Sequence, residues 1–596
     1  MKNPFRHPLP FLWILAPCLA VMLRSAEPTP VNRFGFHETS LTSTGTYANP
    51  YLDLTANAIL TAPDGTTHTL PLFWDGDATW KFRFSPDQTG SWRWSVRSAD
   101  AGLNGKQGSF AVRASTLRGS IVPMAGAPHH FQYQNGERMW FLGDTAWSFV
   151  TDVPAKNHNE ATVANYLTRR AAQGFNVIHT MLLSETGDGN AGGVPFTPLA
   201  SERLNPAYWQ TIDRRVAFAN SRGIVLGLAI AWGRKVANSD TAEPYAWGRF
   251  PSQAARERYA RYIAARYGAY AVYFLVSGEW HGEIRTRPPA TGLELRDEFI
   301  AIGNALRAAD PHRRMTGIHP MSQDGSVREF NRAAWMDFGD YQQNYRQLHE
   351  RILTSRHYAK PVVNSEYAYH LRDADGDGRA DKENSLDEHD IRHASWDIAM
   401  AGGYFVTGFG TTYFGGNRDP GPFDPSAAKN VVWETQLQHL KKFFAGLEYW
   451  KLVPADLQFT SETPRSGSRT QTVESARPGG RTRNVEKPPV TAYWALQIPG
   501  ETYVLYVRGL TTAATFAIDG VGGKYVAEQF NPRTGERTHL GLQQFAEQVD
   551  QAQIAAVGGT ADAPPASGLR SASLANRYSF TPPDAGDCII VLKRSL

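Results

Sequence analysis

Between residues 120 and 454, eight apolar strand-like segments alternate with amphipathic helices, and on either side lie regions whose apolar residues fall at every second position. These two observations predict an α/β chain, a (β/α)8 (TIM) barrel flanked by N-terminal and C-terminal β-sandwiches. Length agrees: 596 residues exceed one core, and a barrel of about 250 residues or more with two smaller domains accounts for them.

The chain opens with Lys2, Arg6 and His7, followed by FLWILAPCLAVML from Phe11 to Leu23 and a polar turn. That apolar run is shorter than the ~20 residues of a membrane span and suits the h-region of a signal peptide. Residues 1–26 are therefore expected to be removed, leaving a secreted or periplasmic chain with no membrane span. Cys18 offers a lipid-anchored alternative, which the preceding Pro17 fits poorly. Cys588 is then the only cysteine of the mature chain, so no intramolecular disulfide can form and stability must come from core burial.

Residues 31–114 read as an Ig-like β-sandwich. In Trp80-Lys81-Phe82-Arg83-Phe84 and Trp92-Arg93-Trp94 the apolar residues alternate as in half-buried antiparallel strands, with turns at Asp75-Gly76 and Thr89-Gly90. Barrel strands are expected at MWFLGD ending at Asp144, NVIHTMLL (Asn176–Leu183), IVLGLAIAW (Ile224–Trp232) and VYFLVSGE ending at Glu279. The others are RMTGIH ending at His319, MDFGDYQ (Met336–Gln342), PVVNSE ending at Glu366 and YFVTGFG (Tyr404–Gly410). Among the helices, Asn205-Pro206 supplies an N-cap and a proline for the first turn, Trp209, Ile212, Val216 and Ala219 keep one stripe, and Gly223 marks the stop. Ser385 and Glu388 form a capping box opening the last but one helix. Residues 455–490, rich in Pro, Gly, Ser and Arg, read as a linker or exposed loop, and alternation returns in a C-terminal β-sandwich over 491–596.

Composition excludes some chemistry. The net charge is only +4 with no Lys/Arg-rich block, so nucleic acid is not an expected partner. No glycine-rich phosphate loop follows any strand, which leaves dinucleotide binding without support. Sixteen tryptophans suit surfaces that stack on sugar rings, although core packing accounts for most tryptophans in most proteins.

In a (β/α)8 barrel the strand C-termini and the loops after them converge on one mouth, so functional side chains are sought there. The strand ends offer Asp144 and Trp147, His179, Trp232, Glu279 and Trp280, His319, Asp340 with Gln342 and Tyr345, Glu366 with Tyr367, and Tyr413. Glu279 and Glu366 stand out because each directly follows a strongly apolar strand, the fourth and the seventh, which face each other across the mouth. Two opposed carboxylates are what glycosidic cleavage needs: one protonates the leaving oxygen, and the other attacks the anomeric carbon or activates water. Opposed strand ends favour the shorter separation, roughly 5 to 5.5 Å, and hence a retaining mechanism without a catalytic cofactor. Glu283 is a rival for the acid role. Asp144, Trp147, His179, Trp232, Trp280, His319, Gln342, Tyr345 and Tyr413 are candidate substrate contacts, each weighed against an ordinary structural role; the partner expected is a polysaccharide or oligosaccharide. Two other classes fit the domain order: a carbohydrate-binding or adhesive surface protein whose barrel has lost catalysis, and a polysaccharide lyase.

A separate motif runs from Asp373 through Asp375, Asp377, Gly378, Arg379 and Asp381 to Asn384. Oxygen ligands at alternating positions, with glycine at the sixth, match a calcium loop, although Asn384 stands where a bidentate Glu is usual. A structural calcium ion is favoured over a solvated acidic turn.

At these residues the chain resembles the apiosidase-like (β/α)8 glycoside hydrolases related to glycoside hydrolase family 140. The resemblance lies in FLGDTAW (Phe141–Trp147), GFNVI (Gly174–Ile178), YFLVSGEW, VVNSEY (Val362–Tyr367), AGGYFVTGFGTTYFG (Ala401–Gly415) and FFAGLEYWKLVP (Phe443–Pro454). The segment before the barrel resembles the β-sandwich found ahead of such barrels, and the C-terminal one a collagen-binding-type module of related proteins. The resemblance implies hydrolysis of plant or algal polysaccharide side chains or oligosaccharides, with Glu279 as acid/base and Glu366 as nucleophile. Gly278 stands where the wider clan carries Asn, a departure that leaves the sugar open.

Overall fold

The computed structural model of the chain describes residues 30–152, 158–183, 189–198, 202–233, 246–283, 292–321, 324–342, 347–367, 369–370, 388–409, 432–473, 483–518, 522–546 and 576–595. Eight parallel strands form a nearly closed barrel in chain order: Gly143–Thr145, Val177–Met181, Val225–Ala229, Val272–Leu275, Thr316–Gly317, Gly339–Gln342, Val362–Asn364 and Tyr404–Phe409. Gly143 pairs with both Val177 and Val406, which joins the first strand to the second and the eighth. Strands five and six meet through Asp337, whose N–H donates to the Thr316 carbonyl at 2.9 Å and whose carboxylate accepts the Thr316 N–H at 2.9 Å. Strands two to four are buried along their whole length. Strands covered on both faces read as continuous apolar runs, as they do here.

The helix Pro206–Ser221 starts where Asn205-Pro206 predicts it, buries Trp209, Ile212, Val216 and Ala219, and is followed by Gly223 in the left-handed region at φ +75°. Asn159 caps the helix Glu160–Ala172 by accepting the N–H groups of Ala161 and Thr162. Beneath the barrel lies a hairpin, Ile121–Met124 with Ala127–Tyr133, that periodicity alone had merged into the barrel region. Its Ser120 hydroxyl donates to the Val272 carbonyl at 2.6 Å, anchoring it under the fourth strand.

The N-terminal sandwich packs a five-stranded sheet against a three-stranded one, with Trp80, Phe82, Phe84 and Trp92 in its core. It is fastened to the barrel by buried charges. Asp213 receives Arg83 at 2.6 Å and Arg266 at 2.7 Å, and Arg266 also reaches Asp75 of the sandwich at 2.8 Å. The C-terminal sandwich has six-stranded and three-stranded sheets, and its Trp494, Tyr506, Phe530, Ile589 and Val591 belong to the same continuous core as the barrel.

Within 455–490, read as a linker or exposed loop, the described residues include strands. Phe459–Ser461 pairs with Ala514–Ile518 as a sandwich strand, and Arg469–Val473 pairs with Arg483–Lys487 in a hairpin. Backbone pairing needs only N–H and C=O groups, so a polar sequence with weak alternation still enters a sheet when a partner strand is at hand. Cys588 is buried and free. The amino-terminal segment, Ser385, Tyr345, Tyr413 and the acidic motif Asp373, Asp375, Asp377, Arg379 and Asp381 lie outside the described residues. Among the described residues no helix is long and apolar enough to cross a membrane, and no cluster of three or more His, Cys, Asp or Glu could hold a metal.

Candidate active site

The fourth strand continues past Leu275 into the site. Gly278 donates to the Ala231 carbonyl at 3.0 Å and accepts from Gly233 at 2.7 Å, while Ser277 accepts the His319 N–H at 2.9 Å and Trp280 donates to the His319 carbonyl at 3.2 Å. Glu279 is thus clamped between the ends of strands three and five, and it sits there at φ +39°. A glutamate in the left-handed region is held by its surroundings against its own preference, and such residues cluster at functional sites. Gly278 must be glycine: a Cβ would fall 2.0 Å from Cε3 of Trp232, whose ring lies on this backbone. The same indole donates to Oε2 of Glu279 at 3.3 Å, and the Gln342 amide donates to Oε1 at 3.3 Å. Both bonds are long, consistent with orientation more than tight binding.

Glu366 ends the seventh strand, where Ser365 donates its N–H to the Tyr341 carbonyl at 2.8 Å. Its Oε2 lies 3.2 Å from Nε2 of His319. On the other side of that ring, Nδ1 is 2.8 Å from the Ser365 hydroxyl and 3.3 Å from Oδ2 of Asp340. Burial opposes a charge on His319, yet Asp340 and Glu366 outweigh it and raise the imidazole to about 10, so the ring is an imidazolium at neutral pH. Burial in turn pushes the Asp340 carboxyl up, with His319 pulling against it. Asp340 and Gln342 stand two residues apart on strand six, on one face. One strand therefore supports both glutamates, Gln342 directly and Asp340 through His319.

The other candidate residues that the structure describes are packed against or paired with protein groups. His179 is fully buried, bonded through Nε2 to the Tyr273 hydroxyl, and held well below its ordinary pKa by burial and by His319 nearby. The expected sugar-hydroxyl role for Asp144 is corrected. Its carboxylate accepts from Tyr166 at 2.8 Å and from Arg170, which also binds Glu434, so it points outward into the layer between strand and helices. A guanidinium with no exposure needs such counter-charges. Trp147 is entirely enclosed, its ring 5.1 Å from Trp232 and 5.9 Å from His319. Trp280 packs edge-on against Phe330 at 4.8 Å. Neither offers an open face to a sugar. Trp232 is 4 % exposed and acts here through its N–H. Ser365 was not singled out in the sequence: a serine within a strand-end carries no signal until His319, 46 positions away, is placed against it.

A family model described as apiosidase-like, catalytic domain, matches residues 127–451, more than half of the chain and nearly the whole barrel. The chain belongs to the apiosidase-like family. This apiosidase-like chain is accordingly a glycoside hydrolase, and its residues 30–99 match a domain family of unknown function, DUF5060. Among solved structures, a Bacteroides vulgatus ATCC 8482 protein provisionally described as a glycoside hydrolase superposes with a TM-score of 0.68 at 16% identity, over 95% of this chain and 100% of that one. A glycoside hydrolase family 5 protein of the same organism reaches 0.58 at 17% identity, over 80% and 94%. At such identities the likeness is one of fold. No functionally curated protein matches the sequence significantly.

Proposed function

We propose that this glycoside hydrolase acts on plant or algal polysaccharide side chains or oligosaccharides with retention of configuration, with Glu279 as acid/base and Glu366 as nucleophile. The observation that carries the reading is that two buried glutamates, 6 % and 8 % exposed, end strands four and seven and share supports from strand six. In the first step Glu279 gives its proton to the leaving glycosidic oxygen while Glu366 attacks the anomeric carbon, forming a glycosyl ester. In the second, Glu279 takes a proton from water, which displaces Glu366 and releases the sugar. His319 occupies Oε2 of Glu366; Oε1, which makes no hydrogen bond among the described residues, is the attacking oxygen.

Secretion and a structural calcium at the loop holding Asp373, Asp375, Asp377, Arg379 and Asp381 belong to the same reading, on the sequence alone. The test is a screen of pectin and algal wall oligosaccharides followed by Glu279→Gln and Glu366→Gln. Each variant is expected to lose about 10³-fold or more in kcat while staying folded. A 2-fluoro sugar should leave a covalent adduct on Glu366 by mass spectrometry. Near-normal turnover in either variant, or no adduct with any active sugar, contradicts the assignment.

A further inference from the structure

We infer that the C-terminal sandwich is a positioning brace for the seventh strand, acting through Tyr367 and the helix Glu388–Met400; the catalytic consequence rests on the reading of Glu366 above. Tyr367 immediately follows Glu366, and its hydroxyl lies 2.6 Å from Oγ of Ser395. Ser395 donates its own proton to the Ile391 carbonyl at 2.7 Å, so Tyr367 is the donor of this bond. Both side chains are buried, and the Tyr367 ring meets Phe405 of strand eight edge-on at 5.6 Å. The backbone that carries Glu366 is therefore tied to the helix through Ser395, and through the same hydroxyl to Thr407 of strand eight.

That helix is in turn held by the sandwich. Asp397, two residues beyond Ser395, receives both Nη atoms of Arg508 at 2.7 and 2.8 Å and the indole N–H of Trp494 at 2.7 Å. Trp396 stacks on Tyr506 at 5.6 Å with 9° between the planes. Trp494 also stacks at 3.9 Å on His349, which lies on the helix Leu348–Ser355 ahead of strand seven and is 2.9 Å from the Asp397 carbonyl through Nδ1. Both helices that flank the seventh strand thus rest on Trp494 and its neighbours.

A tethered binding module that moves freely has a small, wet interface with its enzyme. Here the pair Asp397–Arg508 is 2 % and 1 % exposed, and two charges leave water at that depth only where the geometry opposing them is fixed. Tyr367 and Ser395 are positioning residues: they touch no reacting atom and act by fixing the strand end.

Hydrogen exchange followed by mass spectrometry on the full chain tests the brace without any substrate. In Tyr367→Phe, and in Arg508→Lys, which keeps the charge but loses the two-pronged bond, amides of residues 362–367 are expected to exchange about 5- to 10-fold faster. Peptides covering Val177–Met181 and Val225–Ala229 should be unchanged. No acceleration in 362–367, or equal acceleration throughout the barrel, overturns the proposal. On a p-nitrophenyl glycoside or wall oligosaccharide that the parent hydrolyses, both variants should lose about tenfold in kcat with KM within about twofold. Unchanged kcat despite faster local exchange also overturns it. Full activity of Glu366→Gln would instead sink the nucleophile assignment, with the exchange result still deciding the brace.

Discussion

Nε2 of His319 lies 3.2 Å from Oε2 of Glu366 while the opposite edge of the same ring faces Asp340 and Ser365. Carboxylates on both sides of the ring favour its cationic form against burial, and the ring stands beside the candidate nucleophile. Its charge orients Glu366 without occupying both carboxylate oxygens.

Stability should record that charge. His319 is raised from 6.5 to about 10, so its contribution is complete below pH 6.5 and is lost as pH rises through the folded value. Denaturant midpoints of the parent are expected to fall between pH 7 and 10, and this component of the slope should vanish in His319→Gln. The substitution itself leaves Asp340 buried without its partner and should cost about 3 to 5 kcal/mol. A variant as stable as the parent, with the same pH slope, would remove the imidazolium from the site.

The backbone at Gly278-Glu279 makes a second prediction. In Gly278→Ala the new methyl meets the Trp232 ring at 2.0 to 2.5 Å, so the ring must leave and the N–H that reaches Glu279 goes with it. A loss of about 1 to 3 kcal/mol in stability is expected, together with a fall in kcat. Glu279 at φ +39° adds a paired test. Both Glu279→Ala and Glu279→Gly should be inactive, but the glycine variant should be the more stable by about 1 kcal/mol, since only glycine adopts this conformation freely. Equal melting temperatures would show that no strain resides there.

Asp213 binds an arginine from each side of the junction of sandwich and barrel. Burial alone would raise its carboxyl, but Arg266 and Arg83 outweigh burial and hold it below the ordinary 3.8. Its contribution is therefore present above pH 3.8 and is lost as pH falls through the lower folded value. Asp213→Asn removes one counter-charge from each of two buried guanidinium groups, leaving Arg266 with Asp75 and Arg83 with Glu38, and should cost about 1 to 3 kcal/mol, measured by calorimetry at neutral pH. A melting curve unchanged by the substitution would mean that the apolar contacts and the Arg266–Asp75 pair suffice to hold the two domains together.

Strand ends were legible because the transition from an apolar run to a carboxylate is local. VYFLVSGE and PVVNSE each announce a buried strand and the residue that emerges from it, and the barrel frame says which end that is. Asp144 obeyed the same pattern and misled, because the partner that claims it, Arg170, lies on the following helix and looks in the sequence like any surface cation. The tryptophans misled for a related reason: an indole beside a strand end reads alike whether its ring faces the mouth or, as with Trp280, a phenylalanine behind it.

The sequence by itself determined the order of the three domains, the eight-fold alternation and the two glutamates, since each follows from periods of two and 3.6 residues and from where an apolar run stops. Only the tertiary structure decided the charge on His319, the service of strand six to both carboxylates, the glycine demanded by Trp232 and the grip of Trp494 and Arg508 on the helix behind Glu366. These depend on groups separated by 21 to 111 positions. Charge, desolvation and steric exclusion act through space over a few ångströms, so no local pattern along the chain records them until folding brings the partners together.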